Sequence, residues 1–249
     1  ASRVVASIVE KKRHTFTVGG ASFTGIIMAP AVILLINRTL NCNILLIPAL
    51  AALAISYSLG EGIGRLACIS FGCCYGRPMA SMHPIFQRWF GTNSFIFTGK
   101  TKKISYESGL DGVRVVPVQA ITALLYCATG LASTLLFLRS HFTAAFMLTI
   151  AVTQGWRTLS ELLRADYRGE GKMSSYQVMA IISIIYSAAV PFLFNTSFTV
   201  TPSISLSIAS STSPVFYSLT ILWIAVFIHT GLSRVTGSTI TFHVHRDRV

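Results

Sequence analysis

Acidic side chains are scarce in this sequence: eight Asp and Glu stand against 20 Lys and Arg in 249 residues. All charged residues together reach only 11%, under half of the roughly 25% found in soluble domains. So little charge cannot solubilise a cytosolic enzyme or a free nucleic-acid-binding domain of this size. Cysteine is sparse too. Cys42, Cys68, Cys73, Cys74 and Cys127 form an odd set of five, three of them within seven residues, which excludes a secreted disulfide scaffold. The stretch Ala1 to Lys12 lacks the apolar run of a signal peptide, so none is expected there. The chain opens on Ala rather than Met, and the protein is expected to begin upstream. No internal repeat and no soluble second domain are visible.

Apolar residues, by contrast, make up 52% of the chain, with a mean hydropathy of +0.64. Six stretches are long and apolar enough to cross a bilayer, which takes about 20 residues at about 1.5 Å each. They are expected at 18–37, 44–66, 116–138, 142–163, 175–194 and 214–232. The sequence therefore predicts an all-α, polytopic helical membrane protein: a single transmembrane domain over 1–249 with about six transmembrane helices. Local signals mark the boundaries. Pro117 suits a helix start, where its missing N–H is no loss, and Ser174 and Ser175 are cap residues. A head loop at 76–115 is rich in Gly, Pro, aromatic and charged residues. The uncharged segment 195–213 is expected at the membrane surface, and the tail from His243 in solvent.

The net charge is 20 − 8 = +12, which in a soluble protein would point to a polyanion. Here the basic residues gather in loops and at helix ends, where anionic lipid headgroups are the nearer partner and nucleic acid is not expected. Alternating helix directions put the N-terminus, the head loop, residues 164–174 and the tail on one side, called side A below. Eighteen of the 20 basic residues fall there if Arg65 and Arg157 are included, and only Arg38 and Arg139 mark the other side. The positive-inside rule would make side A cytoplasmic.

A charge at membrane depth costs at least ~2.5–3.5 kcal/mol, so it should be paired, snorkelling or functional. Glu61 and Arg65 lie four apart at the side A end of helix two. Arg157 and Glu161 lie four apart at the same end of helix four, with Arg164 seven beyond Arg157. Each set shares one helical face, and both converge at one depth. One reading is a pair of intrahelical salt bridges. The other is a cluster of guanidiniums and carboxylates around a lipid headgroup, since the planar fork of arginine grips phosphate oxygens. Gly60, Gly62, Gly64, Gly72 and Gly76, with Gly19, Gly20 and Gly25 in helix one, allow close approach or exposed backbone N–H groups.

For Cys68, Cys73 and Cys74 three readings stand. They are small thiols packing like alanines, or a reactive thiol beside Arg65 or Arg77. The third and least favoured is a metal site with His83, because adjacent cysteines share a tetrahedral site with difficulty. No metal and no cofactor is expected.

Three blocks then carry a resemblance: Gly19-Gly20-Ala21-Ser22-Phe23-Thr24-Gly25, the run from Gly64-Arg65 through Gly72-Cys73-Cys74-Tyr75-Gly76-Arg77, and Arg157-Thr158-Leu159-Ser160-Glu161-Leu162-Leu163-Arg164-Ala165-Asp166. They resemble, in order, the Gly-Gly-x-Ser-Phe-His-Gly, Gly-Arg-x-Gly-Asn-Phe-x-Asn-Gly-Glu-x-x-Gly-Arg and Arg-x-x-x-Glu-x-x-Arg-x-Asp segments of the prolipoprotein diacylglyceryl transferase family. Pro117-Val118-Gln119 sits where that family has Pro-Ser-Gln. The likeness covers a core of 19–194, with the helix at 214–232 as an addition. There are departures. Thr24 stands for a histidine, Cys68 and Phe71 for two asparagines, and Cys73 and Thr122 for two glutamates. The family also implies two helices ahead of Gly19, so membrane protein partners could fill their place.

The resemblance implies a transferase of a bacterial-type inner (plasma) membrane. It would move a diacylglyceryl group from an anionic phospholipid, phosphatidylglycerol, to a thiol or another acceptor. Arg65, Arg157 and Arg164 would grip the phosphate and Glu161 would orient an arginine. Gly64, Arg77 and Gln119 would line the headgroup, and His83 and Cys73 would stand nearest the acceptor. The alternative is a non-catalytic lipid-binding subunit of a larger complex. Family topology puts side A outside the cytoplasm, against the charge rule, and we follow the family. Accordingly, Thr101→Cys in a background lacking Cys68, Cys73 and Cys74 should react with an impermeant thiol reagent added to intact cells. Protection there, with labelling of Asn41→Cys instead, would reverse the assignment.

Overall fold

The computed structural model describes residues 18–166, 173–194, 201–202, 217–218 and 220–225. The chain forms two units, 1–202 and 203–249. In the second, the described residues 217–218 and 220–225 are helical, and the rest of the expected helix at 214–232 lies outside the described residues, as do the first 17 residues and the tail. Most of the expected surface segment 195–213 does too.

Five long helices build the first unit: α1 (Val18–Leu40), α2 (Leu46–Phe71), α5 (Val118–Leu138), α6 (Phe142–Leu163) and α7 (Ser175–Leu193). Among the described residues, four of them, all but α6, are long and apolar enough to cross a membrane. The chain is thus an all-α membrane protein. Helix α6 has 22 residues, yet it buries Thr149, Thr153, Gln154, Arg157 and Ser160, so its polar face turns inward. That inversion is what a lipid surround demands. Leu148, Leu159 and Leu162 lie on the outside of the same helix.

Helices α2, α5 and α6 pack mutually, α7 packs on α6, and α1 leans on α7 while touching α2 sparingly. Between apolar helices surrounded by lipid, small residues and interhelical hydrogen bonds supply the attraction. Gly62 and Gly130 do this for α2 and α5, where a side chain would strike Cys127 and Leu59. The Ser58 hydroxyl donates to the Tyr126 carbonyl at 2.8 Å, and the Tyr126 hydroxyl donates to the Thr153 carbonyl at 2.6 Å. Thr149 donates to the Ser133 hydroxyl at 2.8 Å, joining α6 to α5. Tyr186 of α7 donates to the Ile27 carbonyl of α1 at 3.0 Å.

Helix α2 runs five residues past the predicted end, because Arg65 is paired inside it and does not stop it. Gly72 stops it instead, turning left-handed at φ 60° and closing the end on the Cys68 and Ile69 carbonyls. The head then folds as a small layer: α3 (Pro84–Phe90), β1 (Phe95–Ile96), α4 (Lys103–Ser108) and β2 (Arg114–Val115). β1 and β2 pair antiparallel, Phe95 opposite Val115. Tyr75, Phe97, Ile104 and Val115 form its core.

A short backbone ladder fastens the head to the end of α6. The Arg77 N–H donates to the Leu163 carbonyl at 2.8 Å, and the Ala165 N–H to the Tyr75 carbonyl at 3.2 Å. The Val116 N–H completes it on the Arg77 carbonyl at 3.0 Å. Gly76 lies in this ladder with no room for a methyl group, since a Cβ would stand 2.3 Å from the Val116 carbonyl oxygen. Gly76→Ala should therefore cost about 1–3 kcal/mol, read as a lower melting temperature and faster proteolysis of the head. Gly64→Ala, at a helical site with open space, should change neither.

Candidate functional site

Tyr57, Glu61 and Arg65 are spaced four apart and share one face of α2 at its side A end. Arg157 reaches them from α6. Its Nη2 donates to both Glu61 carboxylate oxygens, at 2.9 and 3.0 Å, and to the Tyr57 hydroxyl at 3.2 Å. The Arg65 Nη2 donates to the same Glu61 Oε1. One carboxylate, its side chain 6% exposed, thus serves two guanidiniums, and the group keeps a formal charge of 2 − 1 = +1. The Nε–H groups of both arginines are buried and have no partner. An orphaned buried donor costs about 1–3 kcal/mol, so this is a site short of one anion. Gly19 brings α1 against it: a Cβ there would lie 3.1 Å from Arg157 Nη1 and 2.4 Å from the Tyr176 ring of α7.

A second layer lies where α6 ends. Arg164 grips Asp166 in bidentate fashion, both bonds 2.7 Å, and its side chain is only 6% exposed. Burial opposes its charge, but Cys74 and Asp166 outweigh that and hold the guanidinium firmly protonated. Beside it, the Sγ atoms of Cys68, Cys73 and Cys74 all lie within 4.8 Å of one another. Cys74 takes a left-handed backbone, φ 55°, uncommon outside glycine. Hydrogen bonds from Cys68 and Cys73, aided by the fields of Arg164 and Arg65, pull the Cys74 thiol well below the usual range. Cys73 moves up because it shares its hydrogen bonds with those two thiols.

Below the arginines a groove of about 400 Å³ opens between α1, α2, α6 and α7, in the gap where α1 stands off α2. Leu50, Ala54, Ile150 and Val190 make it apolar, and Tyr57 closes its upper end. The groove therefore reaches Tyr57, whose hydroxyl accepts from Arg157.

The structure brings together most of the residues singled out in the sequence. Arg65 and Arg157 converge directly, and Arg164 lies in the next layer with Cys73. Arg77 is exposed and donates from Nε to the Arg164 carbonyl at 3.3 Å, so it staples the head. Gln119 is buried, donating to the Cys73 carbonyl at 2.9 Å, with its Oε1 unpartnered. Gly64 faces open space. Of the two pairings drawn from spacing, Glu61 with Arg65 is present, whereas Arg157 is joined to Glu61 of α2 and the field of Glu161 falls on Arg164. A neighbouring helix offered a carboxylate at the right depth, which no single-helix pattern shows. His83, expected beside the acceptor, has a structural role in the head. It is exposed, and its Nδ1 accepts from the Ile85 N–H at 3.4 Å to cap α3. Tyr57 and the Arg164–Asp166 pair had been missed, although the four-residue spacing of Tyr57 from Glu61 signalled the first.

Comparison with known proteins adds one finding. A family model described as prolipoprotein diacylglyceryl transferase matches residues 8–193. Neither the curated proteins nor the solved structures yield a match.

Glu61 is the residue on which both guanidiniums depend. Breaking a buried pair by removing one partner costs about 3–5 kcal/mol. Glu61→Gln should therefore lower the melting temperature in detergent far more than Glu161→Gln, and added anionic lipid should recover part of the loss.

Proposed function

The chain belongs to the prolipoprotein diacylglyceryl transferase family, and we propose that it binds an anionic glycerophospholipid at Arg65 and Arg157 and transfers its diacylglyceryl group to a thiol acceptor. One observation carries the reading: two buried guanidiniums share one carboxylate, leaving +1 and two free Nε–H donors, and Arg157 contacts Tyr57, which lines an apolar groove. A phosphodiester supplies the missing negative charge and the acceptor oxygens. Its acyl chains match the apolar lining of the groove. A soluble anion would satisfy the arginines but would leave the groove without purpose.

In this reading phosphatidylglycerol is the donor. The acceptor sulfur forms a bond to the glyceryl carbon, the carbon–oxygen bond to phosphate breaks, and glycerol phosphate leaves with the electron pair. Arg65 and Arg157 receive the charge that develops on the departing phosphate. Donors already fixed in a water-poor site need no reorganisation to do so, and removing one such donor costs about 10²–10³ in rate. Arg164, tied to Asp166, and Arg77 hold the head and its cysteines beside the phosphate. Glu61 keeps the two guanidiniums in one plane of approach.

A second reading has its own support. The Thr24 hydroxyl donates to the Gly20 carbonyl of its own helix at 2.9 Å, His83 caps α3, and among the described residues no histidine or carboxylate lines the groove. A non-catalytic lipid-binding subunit would look like this. Purified protein incubated with labelled phosphatidylglycerol and a series of thiol peptides distinguishes the two. The transferase should release glycerol phosphate, and Arg157→Gln should slow release by about 10²–10³. Folded protein that binds the lipid but releases nothing with any acceptor would leave the subunit reading.

A further inference from the structure

A transferase to sulfur must remove a proton from its acceptor thiol, and among the described residues no histidine or carboxylate lines the groove to take it. The same place holds three thiols. Cys68 comes from the last turn of α2, and Cys73 and Cys74 from the turn that follows, with all three Sγ atoms within 4.8 Å. Adjacent cysteines diverge in ordinary extended or helical backbone. Here Cys74 adopts the left-handed conformation, φ 55°, immediately after the Gly72 turn at φ 60°. Non-glycine residues are held in that region only where the surroundings fix them, and such strain gathers at functional sites. The turn is well fixed: the Cys73 N–H donates to the Cys68 carbonyl at 3.1 Å, and Gln119 holds the Cys73 carbonyl.

We infer that Cys68, Cys73 and Cys74 form a site for one thiophilic divalent cation, zinc, whose open fourth position receives the acceptor thiol. Zinc binds thiolate sulfur at ~2.3 Å, which places the sulfurs of a tetrahedral site ~3.8 Å apart, so the cluster closes by ~1 Å of side-chain rotation. No histidine or carboxylate among the described residues joins the three, which is the three-ligand, open-position pattern of a reactive rather than a structural zinc. Charge agrees. Zinc with three thiolates carries 2 − 3 = −1, opposite to the +1 left by Arg65, Arg157 and Glu61. A coordinated thiol is deprotonated outright, and this supplies what a base would otherwise supply.

The step balances. The acceptor thiol gives its proton to water as it binds the metal, and its sulfur forms the bond to the glyceryl carbon. The carbon–oxygen bond to phosphate breaks towards Arg65 and Arg157. This use of the metal rests on the transferase reading above, whereas the site itself does not.

The test keeps them apart. Full-length protein in detergent, reduced and stripped with a chelator, is titrated with cobalt(II) and then zinc(II). Sulfur-to-cobalt charge-transfer absorption and bound-metal analysis are the readouts. One cobalt per chain should bind, and zinc should displace it. Cys68→Ser, Cys73→Ser and Cys74→Ser should each weaken binding more than about tenfold, while Cys127→Ser, outside the cluster, should not. No binding by protein whose thiols titrate as free would overturn the site, as would binding that persists in the triple serine variant. Glycerol phosphate release that survives complete chelation would overturn the metal's role and leave the lipid-transfer reading intact. Release that falls on chelation and returns with zinc would support both.

Discussion

Everything at the side A end depends on one carboxylate shared by two guanidiniums. Arg65 and Arg157 come from different helices, and in a bilayer neither could stay charged at that depth alone. Glu61 lets both remain, and in doing so fixes α2 against α6 at one height. That pin sets where α5 can pack, because Gly62 next to Glu61 is the point at which Cys127 meets α2. It also orients Tyr57, and through Tyr57 the upper wall of the groove. The arrangement is one negative charge short of neutral. A fold that only needed stability could have used apolar side chains there, since buried ion pairs seldom outperform them. An incomplete pair held in place by four helices suits the lipid-binding role proposed above better than a purely structural one.

The head serves that receptor by position rather than by contact with the bilayer core. Its ladder to α6, through Tyr75, Arg77 and Val116, is short but made of backbone bonds, and it leaves no space at Gly76. The consequence is that the turn carrying Cys73 and Cys74 cannot drift from Arg164. Tyr75 itself is fully buried, donates to Glu107 at 3.0 Å and touches the Ser108 hydroxyl, which ties α4 to the same turn. Desolvation pushes its phenol up to about 12, so it stays a neutral donor at any physiological pH. The head is thus a clamp for a three-residue turn.

The helices were legible because lipid imposes a simple rule on them: apolar runs of about 20 residues, bounded by polar residues or a serine cap. Even the polar stripe of α6 could be read, and its burial explains why that helix is less apolar than the others. What the sequence could not show is which carboxylate meets Arg157. Glu161, four residues away, is the neighbour that helical spacing offers, whereas Glu61 is 96 residues distant and becomes the partner only when α2 and α6 pack. The head was less legible still. Its strands are two residues each, too short for any period, and the pairing of Tyr75 and Arg77 with the end of α6 has no local signature. Nor does chain position show that His83 caps α3, its Nδ1 accepting from the Ile85 N–H.

The departures from the family's pattern make physical sense together rather than one by one. Thr24, standing where that pattern has a histidine, turns its hydroxyl back into its own helix. Thr122, standing for a glutamate, accepts from the Trp156 indole at 2.8 Å and so has become a packing contact between α5 and α6. Cys68 and Cys73, standing for an asparagine and a glutamate, join Cys74 in one cluster. Proton-handling groups are lost on one side of the arginines while thiols gather on the other, and the arginines themselves are unchanged. Decay of an unused site would scatter its substitutions without regard to chemistry. Here the polar residues are replaced by side chains that find partners, and the new sulfurs converge on a turn that the backbone strains to hold. On the transferase reading proposed above, the binding half of the site is kept and the acceptor half rebuilt, so specificity would lie in the turn from Gly72 to Gly76 rather than in the groove.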